Sequence, residues 1–247
     1  MINNSANDRV GKNIAGVSLI ETSQQLLLRV KTHEATEALE EVIENTSGET
    51  LKQQLKDDND KKAFWINIYN AYTQIILSKN PGRYKKRKSF FSTRQIDIAG
   101  KQLSLDDIEH GLLRHSKIKW SLGYLNKWFP TMFEKEQRVD IVDYRIHFTL
   151  NCGAKSCPPI AFYKPEQLDK QLDMATKAYL QSEAEYKESI NTVELPAIMG
   201  WFRGDFGGKK KIMGLLHRLQ IVPEEKHPVI KFKDYNWNLV LENYKSE

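Results

Sequence analysis

Apolar residues recur along this chain mostly at helical spacing. Leu26, Leu27 and Val30 predict a helix that Thr22-Ser-Gln-Gln25, with capping-box spacing, starts. Ala38, Leu39, Val42 and Ile43 mark the buried side of a second helix near Glu34–Glu44, which Asn45-Thr-Ser-Gly48 ends. A short helix around Leu51–Leu55 follows. The strongest pattern runs from Lys61 to Ser78, with Asp60 as the expected N-cap and Asn80-Pro81-Gly82 as the stop. Phe64, Trp65, Ile68, Tyr72, Ile75 and Ile76 form its apolar set. Asn67, Asn70 and Gln74 fall within about 60° of one another on it, a narrow amide stripe. Buried amides need hydrogen-bond partners, so the stripe either caps a neighbouring loop's backbone or faces a cleft and orients a reacting group.

The pattern then changes. Short strands are expected at Ser89–Phe91 and Gln95–Ile98, before Ala99-Gly100. Ser104-Leu-Asp-Asp107 has capping-box spacing and starts a helix ending near His115. Trp120 to Phe133 is aromatic-rich and irregular. Arg145–Asn151 alternates as a strand does, and Gly153 with Pro158-Pro159 ends it in a rigid turn. Pro165 opens a helix to about Gln181, with Leu168, Leu172, Ala175 and Leu180 inward. Thr192–Leu195 and Val229–Phe232 read as strands, Pro196–Phe206 as irregular, Ile212–Leu219 as a helix. Few, short, unevenly spaced strands among helices predict an α+β fold and argue against a doubly wound sheet.

Composition changes this little. The 247 residues, 40% hydrophobic and 28% charged, suit one large domain or one with a small appendage. The net charge of +5 is mild. Part of it lies in two runs, Lys85–Lys88 and Lys209–Lys211, read as solvated loops with no specific nucleic-acid partner. Residues 1–17 are polar and expected to be loosely ordered. With no signal-like start and no run of about 18 apolar residues, the expectation is a soluble, cytoplasmic protein without a membrane span, though a secreted chain trimmed of its signal would read alike. Oligomeric state is not legible.

The two cysteines change the picture more, because Cys152 and Cys157 both sit where the expected strand runs into its turn. A cysteine nucleophile needs an imidazole to form its thiolate, and the imidazole benefits from a group that fixes its tautomer. His110 and His147 are the candidate bases; Glu109, Asp106, Asp107, Asn67 and Asn70 are candidate orienters. His147 and Cys152 are five apart, so a regular strand points them to opposite faces. His110 lies at i+4 and i+3 from Asp106 and Asp107, so a local ion pair also explains it. A disulfide between Cys152 and Cys157 would indicate a redox role or an oxidising compartment. No metal or other cofactor is called: Cys-x4-Cys without a matching pair makes no structural zinc site, although the two cysteines and two histidines could meet in space.

Three motifs carry a resemblance. Phe64-Trp-Ile-Asn-Ile-Tyr-Asn-Ala71, Ser104-Leu-Asp-Asp-Ile-Glu-His-Gly-Leu-Leu-Arg114 and His147-Phe-Thr-Leu-Asn-Cys-Gly-Ala-Lys-Ser-Cys-Pro-Pro159 together resemble the DUF547 family. Tyr235-Asn-Trp-Asn-Leu239 resembles its short aromatic closing motif. The resemblance covers roughly residues 60–240. It implies a papain-like or transglutaminase-like core at 60–247; residues 1–59 fall outside it and, from their helical pattern, are expected as an extension packed on that core. It also implies a Cys-His-Glu set: Cys152 as nucleophile, His110 or His147 as base, Glu109 as orienter. Either histidine precedes the cysteine, the reverse of the papain order. On an α-helix Glu109 and His110 diverge by about 100°, which would suit Glu109 better to His147. The expected activity is a cysteine-dependent hydrolase or acyltransferase acting on a peptide or protein amide bond. Asn67, Asn70, Cys157 and the amides of the 152–157 turn are expected around substrate or oxyanion. The rival expectation is a non-catalytic interaction module for an acidic or protein partner.

Overall fold

The computed structural model describes residues 18–245; the reading of residues 1–17 as loosely ordered lies outside them. Its architecture is α+β: helices around one long central helix, a two-stranded hairpin and a three-stranded sheet.

The central helix begins three residues earlier than its apolar pattern indicates. It spans Asp58–Lys79. Asp57, not Asp60, is the N-cap, because Asp57 Oδ1 accepts the amides of Asn59 (2.8 Å) and Asp60 (3.0 Å). The Asp60 carboxylate turns back to accept the Lys56 amide at 3.0 Å. Residues 62–77 are all buried, as befits a helix that is apolar almost all round. A similar shift occurs at the first helix, α1 (Leu19–Lys31). Its capping box is made by Ser18 and Glu21, one turn before Thr22. α1 packs along the central helix in one core, with Leu26, Leu27, Phe64 and Trp65 fully buried. Two short helices, α2 (Glu37–Glu44) and α3 (Gly48–Gln54), join α1 to the central helix, α4.

Ser89–Phe91 is helical, not a strand. It belongs to α5 (Arg87–Ser92), which continues a 3-10 turn over Pro81–Lys86. Phe90 is buried there, edge-on to Tyr84 and Phe91, and that packing outweighs the local strand preference. β1 (Ile96–Ile98) and β2 (Lys101–Leu103) form an antiparallel hairpin whose turn residues, Ala99 and Gly100, both have positive φ. The aromatic-rich segment includes a short helix, α6 (Met132–Gln137).

The expected strand at Arg145–Asn151 is also absent. Tyr144–Phe148 is a 3-10 turn capped by Asp143, whose Oδ1 accepts both the amide and the Nε of Arg145 at 3.0 Å. The Arg145 guanidinium also reaches Asp169 and Asp173, tying the turn to α7 (Leu168–Glu183). Among the described residues no strand pairs with the segment, and local capping decides its conformation. The strand-parity objection to His147 therefore does not apply.

A second core forms around Phe148, Leu180, Val193, Leu195, Met199, Phe206 and Leu216. It joins α7 to a sheet of β3 (Glu185–Lys187), β4 (Thr192–Leu195) and β5 (Val229–Phe232). β3 and β4 are antiparallel, β4 and β5 parallel. α8 (Ala197–Trp201) and α9 (Gly208–Arg218) complete this half. Among the described residues no helix is long and apolar enough to cross a membrane.

Candidate active site

A cavity of about 300 Å³ opens at the seam of the two cores. Cys152, Glu109, His110 and His147 all line it, together with Tyr69, Tyr235 and an aromatic wall of Phe202, Trp201 and Trp237. The structure thus brings together the four residues named from sequence as a catalytic set.

The cysteine turn is held from below by the amide stripe. Asn70 Nδ2 donates to the Thr149 carbonyl (2.9 Å) and its Oδ1 accepts the Asn151 amide (2.8 Å). Asn67 treats Tyr163 the same way, with both bonds at 3.0 Å. Gln74 Oε1 accepts the Glu242 amide. Asn67 and Asn70 are fully buried and committed to backbone, so they are not oxyanion donors. They clamp the two flanks of the cysteine turn onto α4. Gly153 (φ +84°) fits where a Cβ would lie 2.8 Å from Leu77 Cδ1, so the turn needs glycine there.

Cys152 and Cys157 are paired as a disulfide. Cys157 is buried, and its Sγ accepts the amides of Cys152 (3.0 Å) and Ala154 (3.3 Å). Cys152 is the half-buried member that faces the cavity. The Tyr235 hydroxyl lies 3.3 Å from Cys152 Sγ and 3.2 Å from Cys157 Sγ. The remaining amides of the turn are also engaged: Gly153 to Asn151 Oδ1, Lys155 to Asn238 O, Ser156 to Asn236 O and Cys157 to Ala154 O. The expectation that this turn supplies an oxyanion hole fails for that reason. Burial pushes the Tyr235 phenol well above its ordinary pKa, so it remains a hydroxyl donor at the sulfur.

The opposite wall is a π-helix, Asp107–Leu113, entered through a reciprocal cap between Ser104 and Asp107. Its wider turn, closed by Ser116 N donating to Gly111 O, is of a kind frequent at functional sites. It changes the expected divergence of its two polar residues: Glu109 Oε1 lies 3.7 Å from His110 Nδ1. Burial pushes the Glu109 carboxyl up to about 7, against the pull of Arg114. The Tyr69 hydroxyl donates to its Oε2 at 3.5 Å. Glu109 makes no hydrogen bond to His147 among the described residues, so the expected role of orienting that histidine falls to another group.

That group is Asp205. Its fully buried carboxylate accepts His147 Nε2–H at 2.8 Å and Arg114 Nε–H at 2.6 Å. Burial alone would raise the Asp205 pKa; the bonds from His147 and Arg114 outweigh it and hold the group below its ordinary value. Phe202 stacks on His147 (4.0 Å between centroids, 6° between planes) and lies 4.4 Å from the Arg114 guanidinium. Arg114 also donates to His110 Nδ1 at 2.9 Å. A guanidinium only donates, so His110 Nδ1 must be the acceptor and its proton sits on Nε2, towards Asp106 Oδ1 at 3.6 Å. Burial first, then Arg114, holds His110 neutral, well below the usual histidine range. His147 is the reverse. Its Nε2–H is held by an anion, which leaves Nδ1 as a lone pair without a partner among the described residues. Burial lowers the His147 pKa, and Asp205 offsets part of that.

Sequence reasoning missed Asp205, Phe202 and the roles of Arg114 and Tyr235. Arg114 and Tyr235 lie inside motifs already singled out, and Arg114 stands at i+4 from His110, a spacing that joins side chains on one helical face. Asp205 is a lone carboxylate in Trp201-Phe-Arg-Gly-Asp-Phe-Gly-Gly208, among aromatic groups and glycines. Among the described residues no three His, Cys, Asp or Glu side chains gather as a metal would require, so the two cysteines and two histidines do not form such a cluster.

These features define an α+β protein with a disulfide, an imidazole–carboxylate pair and a buried acid around one cleft. The chain belongs to the DUF547 family, described as "Protein of unknown function, DUF547", whose family model matches residues 52–180. That range holds the three long motifs, the central helix and all four expected catalytic residues; Asp205 and Tyr235 lie beyond it. Comparisons with curated proteins and with solved structures give no match.

Proposed function

We propose that the cleft is the active site of a cysteine-dependent hydrolase or acyltransferase acting on peptide or amide bonds. Cys152 is the nucleophile, His147 the base and Asp205 the group that orients it. The observation that carries this reading is the hydrogen-bond state of His147. Its proton is fixed on Nε2 by Asp205, and its free lone pair belongs to a ring lining the same cavity as Cys152. His110 is a positioning residue in this scheme, because a proton arriving at its Nδ1 would face the Arg114 guanidinium.

The paired cysteines make the resting form inactive. A thiol reductant supplies two electrons and two protons, leaves as its own disulfide and frees both Cys152 and Cys157. Cys152 then passes its proton to His147 Nδ1, and its sulfur bonds to the substrate carbonyl carbon. The Tyr235 hydroxyl donates to the developing oxyanion. As the C–N bond breaks, the amine leaves with the proton from His147. Water or a second amine attacks the thioester, releases the acyl group and returns the thiol. Glu109, half protonated near neutrality, supplies a hydrogen bond to the substrate in the cleft. The wall of Phe202, Trp201 and Trp237 suits a peptide or protein substrate with an apolar side chain beside the reacting amide. The finer expectation of a papain-like or transglutaminase-like core belongs with this proposal. Its support is the layout of nucleophile and base on one stretch, His147–Cys152, with the orienting carboxylate, Asp205, brought to the same cleft from another.

The test is alkylation of Cys152 by iodoacetamide after reduction, followed against pH. The expected midpoint lies below the ~8.5 of a free thiol and moves up to it in His147→Asn. A reduced Cys152 that titrates as an ordinary thiol in the parent protein sinks the proposal. The disulfide favours a second reading, thiol–disulfide exchange. Cys157→Ala separates the two, since hydrolysis survives that change and exchange does not. A protein inactive in both assays would be the non-catalytic interaction module.

A further inference from the structure

The aromatic-rich segment after the π-helix takes no part in the cleft chemistry, and its large side chains point outwards. Trp128 is 89% and Phe129 92% exposed, the two most exposed large apolar residues described. Trp120, Tyr124, Leu125 and Met132 are exposed around them. Isolated exposed apolar residues need no explanation, but seven within thirteen positions, Leu122 included, do. The segment is held rigidly: Ile118 N donates to Leu125 O (2.9 Å), Lys127 N to Ser116 O (2.7 Å), and Lys127 pairs with Glu134. It is a fixed prominence and not an incomplete core.

A second observation lies beside it. Gly204 N donates to Leu122 O at 2.7 Å, and a Cβ at Gly204 would lie 2.6 Å from the Gly123 carbonyl carbon. The two segments touch backbone to backbone, and a Cβ at Gly208 would lie 3.9 Å from the Tyr124 hydroxyl. The basic run Lys209-Lys210-Lys211 starts at the next residue. All three lysines are exposed, and none is in an ion pair among the described residues. Expected from sequence as a solvated loop, the run is instead the first turn of α9, because Gly208 opens that helix, and it starts beside the Leu122–Tyr124 end of the aromatic segment.

We propose that this face docks on an anionic lipid surface, Trp128 and Phe129 entering the headgroup region and Lys209–Lys211 facing the lipid charge. Indole and phenyl rings favour the membrane–water interface, and lysines near an anionic leaflet add attraction. A protruding tip with free lysines behind it fits a deformable charged surface better than a preformed protein groove, and its aliphatic members, Leu125 and Met132, offer nucleic-acid bases nothing to stack on. Lys119, next to Trp120, lines the cleft, so the docked protein holds the cleft mouth near the surface.

The full chain, incubated with phosphatidylcholine vesicles with or without phosphatidylglycerol, is expected to sediment with the anionic vesicles only, with blue-shifted tryptophan emission. Trp128→Ser with Phe129→Ser should abolish the blue shift. Replacing Lys209, Lys210 and Lys211 by Gln should weaken anionic-vesicle binding on the order of 100-fold. All these positions are exposed, and an unchanged thermal midpoint certifies each variant as folded. No sedimentation of the parent protein with anionic vesicles overturns the proposal, as does binding that both variants retain. Tight binding to soluble polyanions with no response to vesicles also overturns it, pointing to an acidic macromolecule. None of these outcomes depends on the thiol chemistry proposed above.

Discussion

His110 and His147 line the same cleft and are almost equally buried, 5% and 4% exposed, yet the protein leaves them in opposite states. His110 meets a cation: Arg114 donates to its Nδ1, and protonation is suppressed by burial and by that charge. His147 meets an anion: Asp205 accepts its Nε2–H and leaves the other nitrogen free to accept a proton. A single salt bridge, Arg114–Asp205, stands between them and presents its positive end to one ring and its negative end to the other. The sign of the neighbouring charge decides which imidazole can act as a base, not depth or proximity to sulfur alone.

Breaking that salt bridge should have the largest effect. Asp205→Asn leaves the fully buried Arg114 without its counter-charge, and urea unfolding should show a loss of about 3–5 kcal/mol. If the loss is under 1 kcal/mol, water reaches the pair and the contrast between the rings weakens. The next test concerns Glu109. Folding lifts its carboxyl from 4.5 to about 7, so the folded state loses stability as pH rises through that window, by about 3 kcal/mol in all. Glu109→Gln should therefore be neutral below that window and stabilising above it in melts compared across pH. A pH-independent difference would mean that Glu109 is charged throughout.

The histidines themselves provide the sharpest contrast. His147→Asn should slow alkylation of reduced Cys152 at neutral pH by roughly 10²-fold, whereas His110→Asn should change it by less than about threefold. The reverse order would assign the base to His110. The smallest effect expected is at Cys157 in the reduced protein: Cys157→Ala should leave the alkylation midpoint of Cys152 within about half a unit, since its sulfur faces backbone amides.

Much of the helical frame was legible because its signals are local. The apolar run of α4 and the caps at Ser104 and Asp107 each act within a few residues. The errors came where a local signal had two claimants. Asp57 and Asp60 both offer a carboxylate, and the earlier one wins because it reaches two free amides. The alternation at Arg145–Asn151 looks like a strand, but a strand needs a partner, and Asn70 satisfies the Thr149–Asn151 backbone instead. Glu109 was set against His110 on the assumption of α-helical pitch, and the π turn removed that assumption.

By itself the sequence determined the α+β class, the family, the central helix and the short roster of thiol, imidazoles and acid, because composition, periodicity and motif are properties of neighbouring residues. Only the tertiary structure decided which histidine keeps a free lone pair, that the amide stripe clamps the cysteine turn, and that Asp205 belongs to the site. Apart from the Arg114–His110 bond, four positions apart, those outcomes rest on charges and hydrogen bonds between residues 58 or more positions apart. Burial makes such contacts strong, and no local pattern encodes which pairs will meet.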